Sequence, residues 1–272
     1  MGMFDGKVAW VTGGGSGIGA SCALELGRQG ARVAVSGRRG DKLQAVAEAI
    51  RAAGGVALAV PCDVSSDDDL SAAVAAVIAE WGQLDLVLAN AGFGVAARFD
   101  KLTVADWERQ FEVNVFGLLR TVYAAMPHLE QTGGRIGLVG SVMAWLTLPG
   151  SGPYAASKHS VRIIGETLAA ELRGSGVSCT TLHPGFVASE IGQVDNAGRH
   201  DPSRKDPRPA QLMWTSDAAA RVMVRALHRR RRQYVFTAHG RFAVFMAMHF
   251  PNLVYLLTRG EARRPRVEAR QG

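Results

Sequence analysis

Short apolar runs alternate with amphipathic stretches along most of the chain. The runs are residues 7–12 (KVAWVT), 32–36 (RVAVS), 56–60 (VALAV), 84–89 (LDLVLA), 135–140 (RIGLVG) and 177–182 (VSCTTL). Each has the length of a buried strand and ends near glycine or charge. Between them the spacing predicts helices over 17–29, 41–53, 67–81, 104–131 (in two pieces), 154–173 and 216–228. In the second helix Leu43, Val46, Ala47 and Ile50 recur at helical spacing and share one face. Ser65 or Ser66 caps the third, with Asp67, Asp68 and Asp69 in its first turn, where acids suit the helix dipole. Residues 233–237 fit a seventh strand. Strands linked in series by helices build a parallel sheet covered on both faces. The expected fold is therefore α/β, a doubly wound Rossmann-like sheet in one domain.

Two stretches break the rhythm. Residues 188–210 are polar and rich in Pro, Gly and charge, too long for an ordinary connection. They and the residues up to 213 read as a lid or substrate loop. Residues 242–257 are apolar, interrupted by Pro251, and followed by basic residues. The division is a catalytic body over 1–237 and an apolar and basic extension over 238–272. The extension is too short and interrupted for a membrane-spanning helix. It covers the pocket or packs between subunits, or else it lies on a membrane.

Composition narrows the class. The chain has 272 residues, 47% hydrophobic and 20% charged, as in ordinary globular proteins. Its three cysteines, Cys22, Cys62 and Cys179, are scattered and form no CxxC pair, which argues against a disulfide framework or a zinc site. A reducing, cytoplasmic setting fits. No apolar leader is visible at the start. The net charge of +7 belongs to the end of the chain: residues 228–272 hold ten arginines and two glutamates, leaving the rest near neutral. That excludes a generally nucleic-acid-binding body, and no nucleic-acid partner is expected. No histidine spacing suggests a metal.

The chemistry sits at strand ends. The first strand runs into Thr12-Gly13-Gly14-Gly15-Ser16-Gly17-Ile18-Gly19 and then a helix. Glycines let the backbone approach a pyrophosphate, and the helix amino end favours the anion. After the second strand stand Arg38 and Arg39, where an acid would otherwise hold a ribose 2′-hydroxyl. Arginine pairs with a 2′-phosphate instead, so NADP(H) is expected over NAD(H). Asp63 and Asn90-Ala91-Gly92 end the third and fourth strands, with Asp63 suited to an adenine amino group. Tyr154 and Lys158 lie i, i+4 at the start of a helix and share a face. The ammonium and the helix amino end would lower the phenol's pKa. Ser141, after the fifth strand, can polarise a substrate carbonyl. Tyr123, Tyr234 and Tyr255 have no such lysine and read as packing residues; His183 reads as structural.

Taken in order, Thr12 to Gly19, Asn90-Ala91-Gly92, Asn114, Ser141, Tyr154-x-x-x-Lys158 and Pro184-Gly185 resemble the short-chain dehydrogenase/reductase family over about residues 5–190. The resemblance implies an oxidoreductase interconverting a small-molecule ketone or aldehyde and an alcohol, with Tyr154 as acid/base. It implies that Ser141 positions substrate, that Lys158 also holds the nicotinamide ribose and that Asn114 supports a relay water. It sets the dinucleotide against Gly13, Gly15, Ser16, Gly17, Ile18, Gly19, Arg38, Arg39, Asp63, Val64, Asn90, Ala91, Gly92, Pro184, Gly185, Val187 and Ser189, with Tyr154 and Lys158. Val187 would meet the carboxamide through its backbone. A homodimer or homotetramer is implied too. Ser16 departs from the basic residue many NADP-preferring members carry there, and Ser189 replaces a common threonine. An apolar carbonyl, reduced, is the expected substrate. The alternatives are a membrane-surface lipid, steroid or retinoid-type dehydrogenase and a non-catalytic dinucleotide sensor.

Overall fold

The computed structural model describes residues 2–206 and 208–258. Seven parallel strands form one sheet: β1 (Val8–Thr12), β2 (Arg32–Gly37), β3 (Val56–Pro61), β4 (Leu86–Ala89), β5 (Arg135–Val139), β6 (Ser178–His183) and β7 (Gln233–Val235). Their order is β3-β2-β1-β4-β5-β6-β7. The chain winds outward from β1 to β3, then crosses back to β4 on the other side of β1. The crevice between the carboxyl ends of β1 and β4 is thus the switch point at which ligands of open sheets bind.

Helices cover both faces: α1 (Gly17–Arg28), α2 (Gly40–Ala52), α3 (Asp67–Trp81), α4 (Val104–Phe111), α5 (Gly117–Thr132), α6 (Gly152–Glu171) and α7 (Ser216–His228). Alternate side chains of each strand feed opposite cores. Ala9, Val11, Leu86 and Leu88 face the layer with Leu26, Met223 and Leu227. Val8, Trp10 and Val87 face the layer with Val77, Leu129 and Ile136. Both faces of the central strands are buried, which is why these strands read as unbroken apolar runs.

Local signals fix the ends. Ser66 caps α3, accepting from the Asp69 N–H at 3.1 Å. Gly82 closes α3 with φ +73, a left-handed conformation that favours glycine. The two expected pieces of 104–131 are α4 and α5, joined by a π-helical turn, Glu112–Phe116, that carries Asn114. Such turns commonly accompany functional sites.

The loop over 188–213 leaves and re-enters the body at one point. The Ala188 N–H donates to Trp214 O at 2.9 Å and the Trp214 N–H to Phe186 O at 3.0 Å. Among its described residues, apart from short turns at Glu190–Gln193 and Ala210–Leu212 and an antiparallel bridge between Val194 and His200, it is irregular. The apolar extension forms α8 (Ala238–His249) and α9 (Pro251–Thr258). Proline suits the first turn of a helix, so Pro251 divides the segment by starting the second. The basic residues 259–272 of the extension lie outside the described residues.

Tyr234 packs beside Phe236, as expected. Tyr123 and Tyr255 do not pack: they are 69% and 70% exposed. Absence of a catalytic partner told nothing about burial, because each sits on the outer face of its helix. The three cysteines are buried free thiols. No helix among the described residues is long and apolar enough to cross a membrane.

Candidate active site

A cleft of about 770 Å³ opens at the carboxyl ends of β1 to β6. It brings together the glycine-rich turn, Arg38, Arg39, Asp63, Val64, Asn90-Ala91-Gly92, Ser141, Tyr154, Lys158, Pro184-Gly185, Val187 and Ser189. Of the residues expected in the site, only Asn114 stands behind its wall.

The turn after β1 is held from β4. Asn90 donates from Nδ2 to Thr12 O at 3.0 Å and Gly13 O at 3.1 Å. A Cβ on Gly19 would fall 2.2 Å from Gly13 O and 2.4 Å from Asn90 Nδ2, so only glycine closes this turn. Ser16 is the N-cap of α1 but makes no side-chain cap hydrogen bond. The first N–H groups of α1 are therefore open to an anion at the cleft floor. This bare helix start, reached only because glycines keep the loop thin, fits the pyrophosphate of a dinucleotide.

At the end of β2 the arginines are already engaged. Arg38 is exposed and donates from Nη2 to Gly198 O of the lid at 3.2 Å. Arg39 donates from Nη2 to Ser16 Oγ at 2.9 Å and to Glu190 Oε2 at 2.6 Å. Burial pushes the Glu190 carboxyl up, but hydrogen bonds from Arg39 and Ser16 outweigh it and hold it below the usual range. Asp63 accepts from the Ser65 N–H and hydroxyl at 3.0 and 2.7 Å. It still lines the cleft, as an adenine contact requires.

Ser141 follows β5 and accepts on Oγ from the Met143 N–H at 3.1 Å. Its hydroxyl also hydrogen-bonds the Tyr154 phenol. Its carbonyl meets His183 Nδ1 at 3.1 Å, and Gln233 Nε2 stands 3.1 Å from the other ring nitrogen. Burial holds the His183 pKa down to about 4, so a neutral imidazole braces the Ser141 turn at neutral pH. Pro184 is fixed to the same turn, its carbonyl accepting from the Val142 N–H at 3.0 Å. Gly185 admits no side chain, since a Cβ would lie 2.3 Å from Thr237 Oγ1.

Lys158 is buried on α6 and donates to Val139 O at 2.8 Å. An ammonium has three donors, so two remain for the cleft. Burial alone lowers its pKa to about 8. The expected lowering of the Tyr154 phenol is not found. Burial raises it, and the Ser141 hydrogen bond and the Arg208 charge only partly offset that. Lys158 Nζ lies 5.9 Å from the Tyr154 ring centre and spends one proton on Val139. The i, i+4 spacing revealed proximity but not desolvation.

Asn114 is committed elsewhere. Its Nδ2 donates to Phe93 O at 3.0 Å and Ser157 Oγ at 3.2 Å, and its Oδ1 accepts from the Phe93 N–H at 3.0 Å. It fixes the irregular segment that follows Gly92, and one Oδ1 lone pair is left over. Among the cleft-lining residues of the 188–213 loop that the sequence did not single out are Glu190 and Arg208. Arg208 donates to Val187 O and Ser189 O, each at 2.9 Å, and pairs with Asp206 at 2.6 Å. No spacing rule reaches them; only their charge within a cleft-side loop marked them. Among the described residues no cluster of His, Cys, Asp and Glu is suited to a metal.

Known proteins resemble this chain in sequence and shape. The profile of the family described as short chain dehydrogenase matches residues 7–200. Hydroxynaphthalene reductase arp2 of Aspergillus fumigatus is 36% identical over 198 residues, 72% of each protein. A crystal structure of a short-chain dehydrogenase/reductase from Burkholderia phymatum in complex with NAD superposes with a TM-score of 0.81 at 27% identity, over 100% of both chains. An alcohol dehydrogenase of Thermococcus sibiricus complexed with 5-hydroxy-NADP gives 0.73 at 26%, over 86% of this chain and 97% of that one.

Proposed function

The chain belongs to the short-chain dehydrogenase/reductase family, an NAD(P)-dependent oxidoreductase, and on that premise we propose that it reduces an apolar ketone or aldehyde with NADPH. The observation that carries this is the joint presence of Ser141, Tyr154 and Lys158 in a cleft whose floor is the bare start of α1. The dinucleotide, when bound, supplies the hydride to the carbonyl carbon. Ser141 donates a hydrogen bond to the carbonyl oxygen and polarises it. Tyr154 gives that oxygen its proton, and its raised pKa keeps the phenol protonated for this step. The Lys158 ammonium steadies the phenolate left behind and has two donors for the ribose hydroxyls. Asn114 positions the wall and offers one acceptor site to a relay water. Val187 meets the carboxamide through its backbone. Run backwards, the same groups oxidise an alcohol.

NADP(H) is preferred because Arg38 and Arg39 stand at the end of β2, where no acid is present to hold a ribose 2′-hydroxyl. Arg39, resting on Ser16 Oγ, supplies the charge that Ser16 itself lacks. The apolar substrate is read from the apolar segment that begins with α8, which packs beside the site: His239 Nε2 accepts from the Phe186 N–H at 3.1 Å, and Gly240 lies against Val142. The test is consumption of NADPH and NADH over a panel of aromatic ketones, steroids, quinones, acyl ketones and sugars. Turnover of apolar carbonyls with NADPH is expected; turnover of sugars only, or with NADH only, overturns the reading.

A second reading concerns the partner, not the reaction. Leu253, Tyr255, Leu256 and Leu257 leave α9 apolar and exposed nearly all round. Such a surface needs a cover. A second subunit in a homodimer or homotetramer is one, and peripheral contact with an anionic membrane, which the following arginines suit, is the other. Light scattering of the Leu253→Asp/Leu256→Asp variant, beside co-sedimentation with phosphatidylglycerol vesicles, separates them. Loss of the oligomer favours the first; loss of vesicle binding by an unchanged oligomer favours the second.

A further inference from the structure

The lid reaches across the cleft to the arginine pair. Glu190 opens its first short turn and meets Arg39 with an Oε2–Nη2 distance of 2.6 Å. Ser16, in the glycine-rich turn, accepts from the same Nη2 at 2.9 Å. A Cβ on Gly17 would come within 2.9 Å of Ser189 Cβ, so the lid lies directly against the phosphate-binding loop. The ion pair is reached by solvent, its side chains 39% and 28% exposed. Arg38 has no carboxylate partner among the described residues, only the Gly198 carbonyl. Of two adjacent guanidiniums, then, the lid neutralises one.

This asymmetry bears on the 2′ position of the adenosine ribose. A phosphate dianion there pairs with guanidinium charge and is repelled by a carboxylate in hydrogen-bond contact with one of the arginines. A hydroxyl needs neither arginine, and a carboxylate is a good acceptor for its proton. We infer that Glu190 is a cofactor-discriminating residue: it occupies Arg39 in competition with a 2′-phosphate and so narrows the preference for NADP(H) over NAD(H). The inference rests on the NADP(H) reading above. It assigns to a lid residue a selectivity that the end of β2 alone would set wider.

The competition is measurable without turnover, by calorimetric titration of the whole protein with adenosine 2′,5′-bisphosphate and with adenosine 5′-monophosphate. Glu190→Gln keeps the shape and removes the charge. It should tighten the bisphosphate about fivefold, the size of one solvent-reached ion pair, and leave the monophosphate within about twofold. In an Arg39→Gln background that gain should vanish. Equal tightening of both probes, or a gain that survives without Arg39, overturns the inference. Arg38→Ala separates the two levels. If it selectively weakens the bisphosphate while Glu190→Gln changes nothing, the cofactor reading stands and the role of Glu190 falls. If wild type and Arg38→Ala bind both probes alike, both fall.

Discussion

The two walls of the cleft are built differently. One is the carboxyl edge of the sheet with the start of α6. There Lys158 is tied to a strand carbonyl at 2.8 Å, the Ser141 turn is braced by His183 at 3.1 Å, and Asn114 locks Phe93 from behind. Every partner is backbone or a buried side chain. The other wall is the lid, whose ties are charged and near solvent: Arg39–Glu190, Arg208–Asp206 and Arg38 on Gly198 O. Groups that must meet a reacting atom belong on the first kind of wall, because small misplacements are costly in rate. Groups that choose which molecule arrives can sit on the second, where a substitution leaves the core untouched.

Substitutions in the fixed wall should therefore strike the chemical step. The largest effect is expected from Tyr154→Phe. It removes the group proposed to give the carbonyl oxygen its proton and leaves the ring packing. Turnover should fall about 10³-fold, within the usual span for general acid catalysis, while the dinucleotide dissociation constant, read by fluorescence, moves less than about twofold. Retained turnover would show that the acid is not on this wall.

Legibility in the sequence followed the same division. The limits of α3 and the strand–turn–helix at Gly13 to Gly19 were readable because capping, apolar period and glycine spacing are local. So was the pairing of Tyr154 with Lys158, one helical turn apart. The contact of Arg39 with Glu190 spans 151 residues and joins a strand end to a loop without period, so nothing local announces it. The direction of the Tyr154 shift was misread for a related reason: the neighbouring ammonium is visible in the sequence, whereas the enclosing burial is assembled from distant elements.

Lys158 gives the next, smaller effect, and its sign can be worked out. Its pKa near 8 in the folded protein lies below the ordinary lysine value of 10.5. The ammonium is present below pH 8 and lost above it, so kcat/KM, which reports the free enzyme, should hold up to about 8 and decline beyond it. Lys158→Arg keeps a charge at all these values and should move that limb upward by more than about one pH unit, even if its different shape lowers the plateau. Unfolding is not the cause expected. Between the two pKa values the unfolded chain binds more protons at this site, so its contribution to stability rises with pH. An alkaline limb that stays in place in Lys158→Arg assigns it to another group.

Arg208 offers the smallest effect and the sharpest contrast between the walls. Its guanidinium straps the lid to the backbone beyond β6 through Val187 O and Ser189 O, while Asp206 balances its charge. It makes no tie to the fixed wall's hydroxyls, and the charge it projects only partly offsets the burial of Tyr154. Arg208→Gln should loosen that strap. Interactions made equally in the bound ground state and the transition state change KM and leave kcat. KM for dinucleotide and carbonyl should therefore rise about three- to tenfold, the cost of one or two hydrogen bonds to a charged group, with kcat held within about twofold. Steady-state kinetics at saturating partner concentrations separate the two constants. A fall in kcat at unchanged KM would put Arg208 among the groups that act on the reacting atoms, and the division between a chemical wall and a selecting wall would fail at that residue.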